Sequence, residues 1–136
     1  APFCEAMVDL RFGEVTIGER LEAEIVKIAE TCARDGLTGS IEKRGGFLPI
    51  LDTPENHTLV DLYLDTAKGL GQQTGAEFTR GCADSGFTAA LGVPTVCGTG
   101  PVGGNGHSPD EYVELDSFVP RAQAVAMSIL RLAGRA

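Results

Sequence analysis

Apolar residues recur with two different periods along the chain. In residues 3 to 12, FCEAMVDLRF, they alternate: Cys4, Ala6, Val8 and Leu10 fall on one side and Glu5, Met7, Asp9 and Arg11 on the other, the period of a half-buried strand. From Gly18 to Ala33 the period lengthens. Leu21, Ile25, Ile28 and Cys32 recur at helical spacing with Glu and Lys between them, and Asp35-Gly36 supplies a C-terminal stop. Residues 38 to 44, TGSIEKR, read as a second strand. Gly45-Gly46, Pro49, Asp52 and Pro54 then make a turn-rich linker that places a domain boundary near residue 50.

Beyond the linker, Pro54-Glu55-Asn56 opens a helix with an apolar stripe of Leu59, Leu62, Tyr63, Thr66, Ala67 and Leu70, ended by Gly69 and Gly71. A short strand is expected from Ala76 to Thr79. The stretch RGCADSGFTAALG follows as a loop running into a short helix that ends at Gly92. Residues Val93 to Cys97 read as a buried strand discharging into the glycine-rich loop GTGPVGG. A last helix carries Pro120 in its first turn, with Asp116 or Ser117 as its cap and Phe118, Ala122, Val125, Ile129 and Leu132 as its buried face. Alternation of strands and helices in this order predicts α/β architecture, with largely parallel pairing in the second part.

Composition narrows the function classes. The 136 residues are 43% hydrophobic and 22% charged, close to an ordinary globular chain. A net charge of −8 argues against nucleic-acid binding, which needs Lys and Arg to neutralise phosphates. No stretch approaches the ~20 apolar residues of a membrane span, and the start, APFCEAMVDLRF, has no basic region followed by an apolar core. That start also lacks an initiator Met and reads as the middle of a longer protein; a cytoplasmic location is expected. Cys4, Cys32, Cys82 and Cys97 are scattered with no CxxC, so neither a zinc ribbon nor a disulfide framework is expected.

In open α/β sheets the functional groups gather in loops at the carboxyl ends of strands. Two loops here carry chemistry, RGCADSGF and GTGPVGGNGHSPDEY. In the second, glycines let the backbone turn tightly, and His107 presents an imidazole that is either a polar loop residue or a metal ligand. Asp110 and Glu111 beside it could complete a metal shell or cap the following segment. Asp84 reads as the N-cap of the helix SGFTAALG and, compatibly, as a group that orients a ligand in the neighbouring loop. Arg44, before Gly45-Gly46, could offer its fork to a substrate carboxylate, and Arg11 closes the first strand. His57, in PENHTL, reads as a solvated surface residue, and DEYVELD as a solvated acidic face.

The run GFTAALGVPTVCGTGPVGGNGHSPDEYVELDSFVPRAQAVAMSILRL closely resembles the C-terminal end of dizinc peptidases of the M20 family. That family includes glutamate carboxypeptidases, acetylornithine deacetylases and succinyl-diaminopimelate desuccinylases, and GGNGHSPDEYV looks most like the first of these. Upstream, VDLRF, an amphipathic helix and EKRGGFLP resemble the second half of the family's lid, a small ferredoxin-like α/β sandwich that often dimerises. The resemblance implies that residues 1–50 are the second half of a lid or dimerisation domain. Residues 51–136 would then be the C-terminal part of a zinc-peptidase-like α/β catalytic domain with a mostly parallel sheet.

Carried onto this chain, the resemblance makes His107 the final histidine ligand of a zinc pair and Arg44 the lid arginine that holds the substrate's terminal carboxylate. Asp84 matches the Asp of a glycine-rich GGxSD stretch near the substrate, and Gly81 and Arg11 complete the expected substrate-binding set. Arg80, Cys82 and Ala83 depart from that stretch, which bears on specificity. The family's HxD motif, bridging Asp, adjacent Glu pair and further acidic ligand do not occur in these residues. The parent protein is therefore expected to hydrolyse an N-acyl amino acid or peptide by metal-activated hydroxide with a Glu as base, two zincs to a site, as a homodimer through the lid. This chain alone is expected to be inactive, with zinc weak or absent. The alternative is a non-catalytic structural or dimerisation module, since half a lid leaves strand edges open to association.

Overall fold

The computed structural model describes residues 2–31, 36–79 and 82–134. Among them are helices α1 (Val15–Thr31), α2 (Pro54–Gly69), α3 (Ser85–Ala90) and α4 (Phe118–Leu132), a 3₁₀ turn (Leu115–Ser117) and two short strands, β1 (Gly103–Gly104) and β2 (Tyr112–Val113). They divide between two compact units, Ala1–Leu51 with Arg80–Val93, and Asp52–Thr79 with Pro94–Ala136.

In the first unit α1 begins at Val15, earlier than its apolar period suggests. Its buried residue is Gly18, because the Phe12 ring lies over it: a Cβ there would come within 2.7 Å of that ring. Leu21 and Ile25 are half-buried as expected, while Ile28 is exposed and Cys32 and Asp35 lie outside the described residues. Residues 3–12 and 38–44 carry no ladder, and residues 3–9 are exposed on both alternating faces. A strand exists only through hydrogen bonds to a neighbour, and alternation buries a face only where something packs on it. What ties these segments together is charge. Arg44 Nη2 pairs with Glu5 Oε1 at 3.0 Å, and Lys43 Nζ with Glu22 Oε1 of α1 at 2.6 Å. Residue 47 approaches α3, where the Phe47 and Phe87 rings lie 5.9 Å apart.

The second unit is built on α2 and α4. Thr53 sits in extended backbone, its hydroxyl accepts from the Asn56 amide at 3.2 Å, and Pro54 pre-sets the first helical turn, so α2 starts where the sequence places it. Tyr63, Ala67 and Ala124 form the core, with Leu64 and Val125 packed against it. Both alanines are wholly buried, since small side chains let the two helix backbones approach. Arginines of α4 reach across: Arg121 Nη1 donates to Tyr63 Oη at 3.1 Å and to Thr74 Oγ1 at 2.9 Å, and Arg131 Nη1 donates to Thr66 Oγ1 at 2.6 Å. Gln72 Nε2 adds a bond to the Pro120 carbonyl at 2.7 Å.

This packing corrects the expected face of α4. Of Phe118, Ala122, Val125, Ile129 and Leu132, only Val125 packs on the core; Ile129 and Leu132 are about three-fifths exposed, at 59% and 60%. The buried positions are Ala124 and Ser128, with Arg121 half-buried. Helix spacing identifies an apolar stripe but not its partner, and α2 offers a surface that takes small residues. The expected buried strand at 93–97 also differs. Val93 and Cys97 are exposed; Asn56 Oδ1 accepts from the Thr95 amide at 2.7 Å, and Val93 N–H donates to the Thr88 carbonyl at 3.3 Å.

Among the described residues the ladder is antiparallel, with Gly103 opposite Val113 and Gly104 opposite Tyr112. The chain is thus mixed helix with a small sheet, consistent with α/β, and parallel pairing of 76–79 with 93–97 is not formed among these residues. No helix among them is long and apolar enough to cross a membrane.

Candidate functional site

His107 stands at the tip of the β1–β2 hairpin. The two glycines of β1 are needed for its close pairing: a Cβ on Gly103 would strike the Tyr112 carbonyl oxygen, and one on Gly104 would come within 2.7 Å of Tyr112 Cε1. From there the chain turns through left-handed backbone at Asn105 (φ 56°) and at His107 itself (φ 66°). Asn tolerates that region; His adopts it less readily, so the tip must be held by its own bonds. Ser108 N–H donates to the Asn105 carbonyl at 3.2 Å and Glu111 N–H to the Ser108 carbonyl at 3.1 Å. Asn105 Nδ2 reaches the Asp110 carbonyl at 3.4 Å, and Asp110 N–H donates to Ser108 Oγ at 3.2 Å.

One carboxylate takes part. Glu111 Oε2 accepts from the His107 amide at 3.3 Å, so Glu111 braces the residue that carries the imidazole and caps no following helix. The imidazole is left exposed. At the base, Glu114 N–H donates to the Val102 carbonyl at 2.8 Å, and the Ser117 hydroxyl stands between Val102 N and Glu114 O. Ser117 therefore does not cap α4. Its backbone is helical (φ −82°, ψ −17°), and its oxygen is committed to the hairpin.

Asp84 occupies the N-cap position of α3 but makes no side-chain cap bond. Its backbone is helical (φ −58°, ψ −24°), whereas a capping side chain needs extended backbone to fold over the first amides. The exposed Asp84 carboxylate is thus not used up by α3, although its carbonyl accepts from Phe87 N–H at 3.0 Å. Next to it, Ser85 Oγ is enclosed with no hydrogen-bond partner among the described residues.

The two guanidiniums are engaged by different carboxylates. Arg44 holds Glu5 at 3.0 Å with Glu42 at 3.9 Å, all largely exposed. Arg11 pairs with Asp9 at 2.9 Å. The hydrogen bond and charge of Asp9 hold the Arg11 pKa above its ordinary value, and Cys82 adds in the same direction. Gly81 lies outside the described residues. Arg11, Arg44 and Asp84 belong to the first unit and His107 to the second.

The sequence reading also missed three ties. His57 is exposed as expected, but its Nε2 also contacts Asp52 Oδ1 at 2.6 Å. Asn56 and Ser117 act on the backbone of remote segments, which spacing does not reveal. Cys4, Cys82 and Cys97 are free thiols.

A zinc ion needs about three or four nitrogen, oxygen or sulfur ligands brought together. Among the described residues no group of three or more His, Cys, Asp or Glu is placed to hold a metal. His107 offers one imidazole, and the Glu111 carboxylate is bonded to the His107 backbone amide. These residues by themselves do not fit the zinc pair.

A family model described as peptidase family M20/M25/M40 matches residues 5–131. No curated protein and no solved structure gives a significant match.

Proposed function

Because the chain belongs to peptidase family M20/M25/M40, we propose that it forms the C-terminal portion of a zinc-dependent hydrolase. Its substrate carries a carboxylate: an N-acyl amino acid, or a peptide ending in a residue such as glutamate. The bond cleaved is an amide or peptide bond. The observation that carries this reading is the placing of His107, whose exposed imidazole is held at a braced hairpin tip within the matched residues.

In this reading His107 contributes one imidazole to the metal shell. Arg44 binds the substrate carboxylate through its planar fork. Its present partner does not prevent that, because an exposed ion pair such as Arg44 with Glu5 is worth at most about 1 kcal/mol and a substrate carboxylate can replace it. Asp84, whose carboxylate makes no cap bond to its helix, would complete the substrate-binding set together with Arg11 and Gly81. The remaining ligands and the general base belong to an HxD motif and an adjacent Glu pair, neither of which these 136 residues contain. The chain alone is then inactive. Residues 1–50 form half of a lid that pairs two subunits, in a cytoplasmic enzyme.

The coding sequence upstream of Ala1 tests this reading. An in-frame HxD followed by adjacent glutamates supports it; an upstream region with neither overturns it.

A second reading, a non-catalytic association module, draws on the exposed Phe3, Met7 and Val8 in a segment without a ladder. Sedimentation tests association through this segment, which both readings share. A monodisperse monomer at high concentration counts against association through it.

A further inference from the structure

We infer that Ser117 is a positioning residue for His107, acting through the base of the hairpin; this rests on the reading of His107 as a functional imidazole. The ladder pairs Gly103 with Val113 and Gly104 with Tyr112, so the next pair in register is Val102 with Glu114. In an antiparallel ladder, hydrogen-bonded pairs alternate with non-bonded ones, and a bonded pair exchanges both N–H···O bonds. Here one of the two is direct, from Glu114 N–H to the Val102 carbonyl at 2.8 Å. The other is relayed: Val102 N–H donates to Ser117 Oγ at 2.8 Å, and that hydroxyl donates to the Glu114 carbonyl at 2.5 Å. A side chain from the last residue of the 3₁₀ turn, just before α4, thus replaces the missing half of the terminal ladder pair.

The hairpin needs such an anchor. A two-stranded hairpin is marginal in isolation, and glycine strands specify register weakly because they have no side chains to pack. The β1 strand is Gly103-Gly104, and its packing partner is the Tyr112 ring lying across Gly104. The tip beyond it holds Asn105 and His107 in left-handed backbone, which relaxes if the register slips. α4, in contrast, is fixed to α2 by Ala124 and the Arg121 bond to Tyr63, and to the segment after α2 by the Arg121 bond to Thr74. The Ser117 relay therefore connects the tip that bears His107 to the firmest part of the unit.

Nuclear magnetic resonance of the whole chain tests this with Ser117→Ala, Ser117→Thr and Ser117→Cys. We expect Ser117→Ala to speed amide exchange at Val102 and Glu114 roughly tenfold, as for the loss of a modest hydrogen bond. It should also shift the His107 amide and imidazole signals and its φ-sensitive coupling, while signals of Ala67 and Ala124 stay in place. Ser117→Thr, which keeps the hydroxyl, should restore the wild-type His107 signals. If the alanine variant unfolds, Ser117→Cys keeps the side-chain size while weakening both bonds and gives the same reading. His107 signals unchanged in the alanine and cysteine variants, or a threonine variant as displaced as alanine, would overturn the proposal. Cobalt titration of the wild-type imidazole signals, run in parallel, reports on the metal role separately: shifted His107 signals in Ser117→Ala with no cobalt response in wild type leave the positioning intact and count against the metal reading alone.

Discussion

Asn56, in the first turn of α2, accepts a hydrogen bond through its side-chain oxygen from the backbone amide of Thr95 at 2.7 Å. Asn56 is 8% exposed, and its side chain ties the helix start to the segment that leads into the His107 hairpin. Asn56→Ala removes the acceptor. It should lower unfolding stability by about 1–2 kcal/mol in urea titration, and Asn56→Asp, which keeps an acceptor, should cost less. Equal stability of wild type and Asn56→Ala would show that the bond does not hold the segment.

The two glycines of β1 face different obstacles, which gives a comparison rather than a single number. A methyl on Gly104 meets the far end of the Tyr112 side chain, which can swing away, whereas a methyl on Gly103 meets the Tyr112 backbone, which cannot move without opening the ladder. Gly103→Ala should therefore disturb the hairpin more than Gly104→Ala. The readout is amide exchange at Tyr112 and Val113, which should quicken more in Gly103→Ala.

These local devices mark the limit of what the sequence reveals. Helix α2 was legible at both ends, because Thr53, Pro54 and the glycines near its close act through contacts within a few residues. α3 was legible in place, but it ends at Ala90 rather than at Gly92, and the Asp84 cap expected to start it makes no side-chain bond. The choice of face on α4 was not, since Ile129 and Leu132 look like core by spacing while the partner helix selects Ala124 and Ser128. Strands were the least legible: alternation over 3–12 describes a surface, and the neighbour that would make it a strand is a property of the fold.

At the candidate site the same division holds. The sequence isolates His107, Asp84 and Arg44 by residue type, loop context and family resemblance. It assigns capping to Asp84 and Ser117 by preference, but both sit in helical backbone where a cap bond does not form. Ser117 spends its hydroxyl on Glu114 and on Val102, the latter a tie across 15 residues with no periodic signature. Composition had no means of showing that the carboxylate of Glu111 would turn back to the His107 amide.

Arg44 separates stability from function. Its partner Glu5 and the guanidinium are both about three-fifths exposed, at 62% each, and such pairs contribute little. Arg44→Met should change unfolding stability by less than about 0.5 kcal/mol. In the assembled enzyme the same change should raise KM for carboxylate-bearing substrates while leaving amide analogues without the carboxylate largely unaffected. Equal losses for both substrates would place Arg44 outside substrate recognition.

The most direct measurement is the zinc content and hydrolase activity of this 136-residue chain by itself, after dialysis against zinc, with His107→Ala beside it. We expect wild type and variant alike to retain less than stoichiometric metal and to release no amino acid from N-acyl amino acid or peptide substrates. One or more tightly held zinc ions per chain in the wild type, with turnover that His107→Ala abolishes, would contradict the assignment of His107 as one ligand of a site completed by other residues.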